Sequence, residues 1–514
     1  ETIHHQRGAE MVQQTGLPFK YESTATHGAT ALAGLPLYLE LAQVLGLRSL
    51  VEAHLPARGD GQGWSDADVV QALVLLNLAG GESVSDLELL AGDEGLARIL
   101  RAVACAGLPR KEARAKARQL AKSNCAALPS ASTVFRFLQS FHGPEQQVER
   151  TPGTAVIVPE HERLRGLWQV SAGLLAAMQQ HRPLSEVTMD GDATLVETHK
   201  SAALACYKGY KAYQPLNFYL AQWGMVAYSQ FRDGNVPCGY QQLGALQVAL
   251  GLLPAGIAKV LLRMDTQGYE WDLLRYLAEG KNERFGVIDF AVGADVTPEL
   301  KKEVAKLREN QWQELPREPG QVAQQWAEVC YVPNAAATKK DGPTYRFLVT
   351  RELLAQQPLP GVDLQLPFPT MEIGTLGHFK LHAVVTNRKL SGPALIAWYR
   401  KRCGKSEEAH SVMKSDLAGG RLPSGDFGNN AAWWTIMLLT LNLNELMKRL
   451  ALGAAWIPKR LKALRAHVIC VAGRVVEHAR QVAVRLSDQH PSTTFIQEVH
   501  ERILALNPAF MASG

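Results

Sequence analysis

The sequence predicts an α/β catalytic core carrying a mostly β insertion and flanked by all-helical N- and C-terminal regions. Three observations predict it. Apolar residues recur at three-to-four spacing through residues 36–142, short β-type runs alternate with helix-like ones after a Pro-containing stretch at 142–161, and helical spacing returns from Leu395 to the end. With 514 residues, 46% hydrophobic and 20% charged, the chain is long enough for several folded units. The expected divisions are a helical domain at 1–150, a first part of the core at 160–320, the insertion at 321–390, the rest of the core at 391–450 and a helical region at 451–514.

In the front region, Leu37 to Leu47, Asp66 to Leu78 and Val84 to Leu90 have helical periodicity, broken at Gly80-Gly81 and Pro109. Residues Arg110 to Lys122 form a basic helix, and Pro129-Ser130 precedes a short amphipathic run to Leu138. A Ser cap before such a run suits the second helix of a helix-turn-helix, which makes Arg114, Arg118 and Lys122 candidate DNA contacts. An ordinary solvated charged face is the competing reading.

In the core, Glu186 to Asp192, Asn217 to Trp223, Met225 to Phe231, Lys259 to Met264 and Phe285 to Phe290 read as strands, with helices over Tyr240 to Gly251 and Tyr269 to Glu279. The insertion holds strand-like Tyr345 to Thr350 and Phe379 to Thr386. Beyond it, Trp433 to Leu441 is apolar but is interrupted by Asn442 and Asn444, short of the ~20 residues that span a bilayer, and so reads as a buried helix. Lys459, Arg460 and Arg465 lie in a basic segment after Pro458 and are further candidate DNA contacts.

Net charge is +5, a mild bias that tolerates a polyanionic partner without requiring one. The seven cysteines are scattered without a C-x-x-C pair, which indicates neither a zinc site nor a disulfide framework and fits a reducing cytoplasm. No secretory signal is legible.

Three widely separated carboxylates have local contexts suited to a divalent metal. Asp192 closes a strand-like run, Asp265 follows another and precedes Gly268, and Glu407 lies in a helix-like run with Tyr399, Arg402 and Lys414. Magnesium prefers oxygen ligands, and a few carboxylates on separate elements suffice for two ions about 3.5–4 Å apart, the layout of two-metal phosphoryl transfer. Strand alternation puts Asp190 on the same face as Asp192, so both remain candidates. Glu407, His410 and Lys414 share one helical stripe.

Tyr399, Arg402, Glu407 and Lys414, the run from Asp416 to Trp434, Asp190-Gly-Asp-Ala-Thr194 and Arg263-Met-Asp-Thr-Gln-Gly268 together resemble bacterial insertion-sequence DDE transposases. The resemblance is to the insertion sequence thirteen-eighty group, related to the insertion-sequence-four group, and covers most of the chain. It implies a ribonuclease H-like core in which Asp192, Asp265 and Glu407 bind two Mg2+ ions, replaceable by Mn2+, while Tyr399, Arg402 and Lys414 contact DNA phosphates. It also implies double-stranded DNA as partner, both transposon ends and target, a homodimer on that DNA, and a nucleoid-associated cytoplasmic location. Its preferred first acid is Asp192, because a Thr follows two positions later, with Asp190 the alternative. Another ribonuclease H-like nuclease or recombinase, or a DNA-binding protein that has lost catalysis, are the other classes compatible with these residues.

One spacing departs from the pattern. Relatives commonly have three residues between the signature Arg and Glu, whereas four separate Arg402 from Glu407. A straight helix would set these two about 140° apart, so an extra-residue π-type bulge is expected near Cys403-Gly404; without it, Glu408 competes for the third position.

Overall fold

The computed structural model describes residues 27–507 except 57–62, 107, 121–125, 334–344, 356–365, 367, 374–375 and 479–480. A ten-stranded mixed sheet dominates. Its strands, numbered in chain order, are β1 (Glu186–Ala193), β2 (Leu216–Leu220), β3 (Met225–Gln230), β4 (Lys259–Met264), β5 (Asp289–Ala294), β6 (Gln313–Glu314), β7 (Gln324–Val329), β8 (Arg346–Leu353), β9 (Thr370–Glu372) and β10 (His378–Thr386). They lie in the order β3-β2-β1-β4-β5-β10-β8-β7-β6, with β9 against β10. β1, β4 and β5 are mutually parallel; β2 and β3 extend one side antiparallel.

The insertion strands do not form a separate sheet. β10 pairs antiparallel with β5 through Ala383↔Ala294 to Thr386↔Ala291, so β6 to β10 continue the core sheet. The strand expected at Phe285 to Phe290 lies later, at Asp289–Ala294. Asn282 Oδ1 accepts from the Arg284 and Phe285 amides and turns that segment before the strand begins.

Behind the sheet runs the 21-residue helix Phe427–Met447, buried at every position. It packs on the helices Asp66–Ala79, Ala131–Gln139 and Glu162–His181 and on β3, so the front helices share the core of the sheet domain. The helix Glu162–His181 is not among those expected from the sequence, and its apolar residues fall on most of its circumference. The two asparagines that interrupt the long apolar run are both satisfied. Asn442 exchanges two hydrogen bonds with the Val226 backbone, at 2.8 and 2.9 Å, and Asn444 accepts from the Tyr38 hydroxyl at 2.7 Å. An unmade buried hydrogen bond costs roughly 1–3 kcal/mol, so these side chains fix the seating of the helix on β3 and on the front bundle. Among the described residues no single helix is long and apolar enough to cross a membrane.

The flanking regions are not all-helical, contrary to the expectation from sequence. Gly473–His478 and Gln481–Leu486 form an antiparallel hairpin, and Ala29–Thr30 pairs with its first strand to make a three-stranded sheet. Val475-Val476 and Val482-Ala-Val484 are β-branched enough to favour strands, and the pairing joins segments more than 440 residues apart, beyond the reach of any local pattern. The helices of the front region otherwise lie where periodicity places them, from Pro36–Val44 to Ala131–Gln139.

Candidate active site

β1 and β4 run parallel and adjacent in register, with Gly191 opposite Met264 as their last pair. The next residues, Asp192 and Asp265, therefore emerge side by side at the carboxyl ends of neighbouring strands, where open α/β sheets expose functional groups. Asp265 leaves β4 as the cap of a short turn, accepting from the Gln267 amide at 3.0 Å.

The helix Gly392–Arg400 crosses β5 close enough that a Cβ at Gly293 would stand 3.0 Å from the Tyr399 hydroxyl and 2.8 Å from the Thr266 nitrogen. Glycine at 293 thus permits the signature helix and the Asp265 turn to meet. Tyr399 is buried, and the Arg402 guanidinium lies 5.5 Å from its ring centroid and 4.0 Å from Asp192 Oδ2. Arg402 Nε has no hydrogen-bond partner.

The extra residue between Arg402 and Glu407 is accommodated by a break in the helix rather than a π-type bulge. Successive i→i−3 bonds, Arg402 to Tyr399, Cys403 to Arg400 and Lys405 to Arg402, tighten the chain, and Gly404 at φ +77° starts a new helix at Lys405–Ser411. The wide turn comes later, at Val412–Asp416. A left-handed backbone costs a non-glycine residue roughly 1–2 kcal/mol. Gly404→Ala is expected to lose about that much stability and to slow DNA cleavage several-fold by misplacing Glu407. Wild-type cleavage rates with an unchanged unfolding midpoint would show that this turn does not set the spacing.

His410 fastens the second helix to the sheet through Asn217, 3.3 Å from its Nε2, and Asn217 pairs with Asp192 across β1 and β2. Burial, then the nearby Lys414 ammonium, lowers the His410 pKa to about 4, so it is neutral at physiological pH. The two glutamates diverge. Glu407 acts electrostatically on Asp192 and His410, whereas Glu408 pairs with Lys405 at 3.1 Å and acts on Tyr219, Glu445 and Arg460. Lys414, half-buried, donates to the Leu195 carbonyl at 3.3 Å, just beyond β1.

Asp190 and Asp192 share a strand face but not a partner. Asp190 is buried in a two-pronged ion pair with Arg263, at 2.6 and 2.8 Å, and Arg263 also donates to the Trp398 carbonyl at 2.7 Å. The pair holds the signature helix against β4. The sequence carries no sign of this role for Arg263, because only the Asp190↔Arg263 register brings the two together.

Burial, then the charge of Asp265, pushes Asp192 up to about 7, with Glu407 adding to the rise and Arg402 opposing it. Burial also raises Asp265, opposed by Arg402. This crowding of acids is what a divalent cation would relieve, and the donor set is entirely carboxylate oxygen, as Mg2+ or Mn2+ prefers. Among the described residues, no three His, Cys, Asp or Glu side chains already stand close enough to enclose an ion.

The outlying candidates divide. Arg114 and Arg118 are exposed on Arg110–Leu120, a helix with Leu120 as its buried residue; Lys122 lies outside the described residues. Lys459 is exposed. Arg460 pairs with the buried Asp416 at 2.5 Å. Arg465 turns inward, donating to the carbonyls of Asn77, Leu78 and Asp416, so its guanidinium ties the C-terminal segment to the front bundle.

A family model described as "Transposase DDE domain group 1" matches residues 24–508. The chain belongs to that DDE transposase family. No curated protein matches this transposase. Among solved structures, it is similar to a piggyBac transposase synaptic complex with hairpin DNA, at 10% identity over 95% of this chain and 84% of that one, with a TM-score of 0.40.

Proposed function

We propose that this transposase binds the terminal inverted repeats of an insertion sequence, cuts the DNA backbone there and joins the freed 3′-hydroxyls to target DNA. The observation that carries the reading is the convergence of Asp192 and Asp265 at adjacent strand ends with Glu407 acting on Asp192 and Arg402 beside it. The sheet order supports a ribonuclease H-like core, with three antiparallel strands followed by two parallel ones. The signature residues support placement in the insertion sequence thirteen-eighty group.

Asp192, Asp265 and Glu407 would hold two Mg2+ ions, which would supply activation of the attacking oxygen and charge stabilisation on the leaving one. The chain's other residues position the DNA. Arg402, braced by Tyr399, offers a guanidinium fork to a phosphate oxygen, and burial of Tyr399 keeps that fork from swinging away. Lys414 presents a second cation near the end of β1, and the exposed Arg114 and Arg118 neutralise phosphates farther along the duplex. Water is the first nucleophile and the 3′-hydroxyl the second, so cleavage and joining use the same site on a homodimer holding paired ends.

The test is incubation of the protein with Mg2+ and a supercoiled plasmid bearing the element ends, followed by sequencing of the products. Cleavage at the ends together with joined 3′-ends in target DNA is the expected result. Cleavage without joining would assign a ribonuclease H-like nuclease instead. Salt-sensitive binding without either product would assign a DNA-binding protein without catalysis.

A further inference from the structure

Asn217 lies where the strand of the first acid meets the helix of the third. It stands directly opposite Asp192 in the antiparallel pairing of β1 with β2, and directly opposite Ser229 in that of β2 with β3. Opposed residues of antiparallel strands share a face, with Cβ atoms about 4.5–5.5 Å apart, so Asp192, Asn217 and Ser229 form one row. Asn217 is only 1% exposed. Its Nδ2 lies 3.3 Å from Nε2 of His410, which follows Glu407 by about one helical turn, whereas its Oδ1 is buried without a hydrogen-bond partner.

A buried carboxamide with one end idle costs roughly 1–3 kcal/mol. On the Ser229 side of the row the hydroxyl is already engaged, since Ser229 Oγ accepts from Trp434 Nε1 at 2.9 Å. On the other side is the Asp192 carboxylate, which once ionised can only accept. A half-turn of the amide exchanges its two ends, and a neutral imidazole can carry its proton on Nε2. His410 Nε2 then donates to Asn217 Oδ1, and Asn217 Nδ2 is free to serve the acid, so both ends of the amide are used. Carboxylates that hold a metal ion are commonly oriented by a partner of this kind.

We propose that Asn217 is a positioning residue of the acid site: Nδ2 donates to the Asp192 carboxylate while His410 Nε2 donates to Oδ1, a relay that sets Asp192 against Glu407 to receive a divalent cation. This role rests on the two-metal reading above. It deepens that reading by naming what orients the first acid and ties it to the helix of the third.

The test measures Mn2+ binding to the full chain through the electron paramagnetic resonance signal of the free ion, with the unfolding midpoint in chelator recorded for each protein. Asn217→Leu and His410→Ala should each weaken Mn2+ binding about tenfold or more, as loss of a partner to a metal ligand does. Because the two residues act in series, the double variant should bind no more weakly than either single one. His410→Gln, whose amide nitrogen can stand where Nε2 stood, should restore binding. Asn217→Asp, alike in shape but with no proton to donate, should not. A role confined to packing would lower the midpoint in chelator and leave Mn2+ affinity unchanged. That result, additive losses in the double variant, or binding kept or tightened in Asn217→Asp would overturn the relay while leaving the two-metal reading intact. Wild type that binds Mn2+ no better than Asp265→Asn would overturn both.

Discussion

Asp192→Asn is expected to abolish DNA cleavage while making the protein more stable in metal-free buffer. The two effects have one cause. Burial and the charges of Asp265 and Glu407 raise Asp192 to about 7, so the folded state keeps a proton that the unfolded chain releases near pH 4. Stability from this group is present at low pH, falls as pH rises from about 4 to about 7, and stays low above that. An amide at 192 removes that loss. The gain above pH 7 is on the order of 1–3 kcal/mol, discounted because Arg402 relaxes and Asp192 retains some exposure. Catalysis moves the other way, because an amide lacks the charge a divalent cation requires. Losing several kcal/mol of transition-state stabilisation corresponds to a rate at least about a thousandfold lower. Asp265→Asn and Glu407→Gln should behave alike in cleavage, with binding to the ends retained. Glu408→Gln should cleave at close to the wild-type rate, because Glu408 is paired with Lys405. Cleavage that survives Glu407→Gln but not Glu408→Gln would exchange the two glutamates. The measurements are plasmid cleavage with Mg2+ and thermal unfolding in chelator at pH 5 and pH 8; a midpoint gain for Asp192→Asn at pH 5 equal to that at pH 8 would refute the electrostatic account.

Arg263→Ala is expected to have the largest effect on stability. Asp190 is buried, and burial raises its pKa while the Arg263 fork opposes the rise. Removing one partner of a buried ion pair typically costs 3–5 kcal/mol, because the remaining charge has lost both water and its counter-ion. The cost includes the Arg263 hydrogen bond to Trp398, which anchors the helix carrying Tyr399. Cleavage should therefore fall even at temperatures where the variant stays folded. The double variant Asp190→Asn, Arg263→Met leaves no buried charge and is expected to recover most of the stability without the helix anchor. Denaturant unfolding of the three proteins checks this. A double variant no more stable than Arg263→Ala would show that the loss comes from packing around Trp398 rather than from the stranded carboxylate.

Much of the core was legible because its strands carry their own signal. Lys259–Met264 lies where its apolar run puts it, and the edges of β1, β3, β8 and β10 fall within a few residues of their sequence limits. Buried parallel and central strands read as short apolar runs whatever their neighbours are. A buried helix was legible at Trp433 to Leu441, but the helix runs from Phe427 to Met447, because Asn442 and Asn444, which interrupt the apolar run, are hydrogen-bonded inside it. Less legible was Asp289–Ala294, where Asn282 reshapes the entrance, and least of all the C-terminal hairpin, whose partner strand lies at the other end of the chain.

By itself the sequence determined which acids were in contention, which residue types surrounded them and that a sheet carried the first two. Separating those acids by their partners required tertiary structure. Asp190 and Asp192 are indistinguishable by alternation, and they part only because the register of β1 on β4 sets Arg263 against Asp190. Glu407 and Glu408 are adjacent on a helix, and its seating by the turn at Gly404 and the His410–Asn217 contact leaves Glu408 paired with Lys405 and the Glu407 charge felt at Asp192. Arg465 reads as a surface cation in a basic run, yet the carbonyls of Asn77, Leu78 and Asp416 hold it inside. Periodicity reports the local face of an element, whereas charge pairing depends on which other element is brought opposite that face, and this second condition is written in contacts between residues tens to hundreds of positions apart.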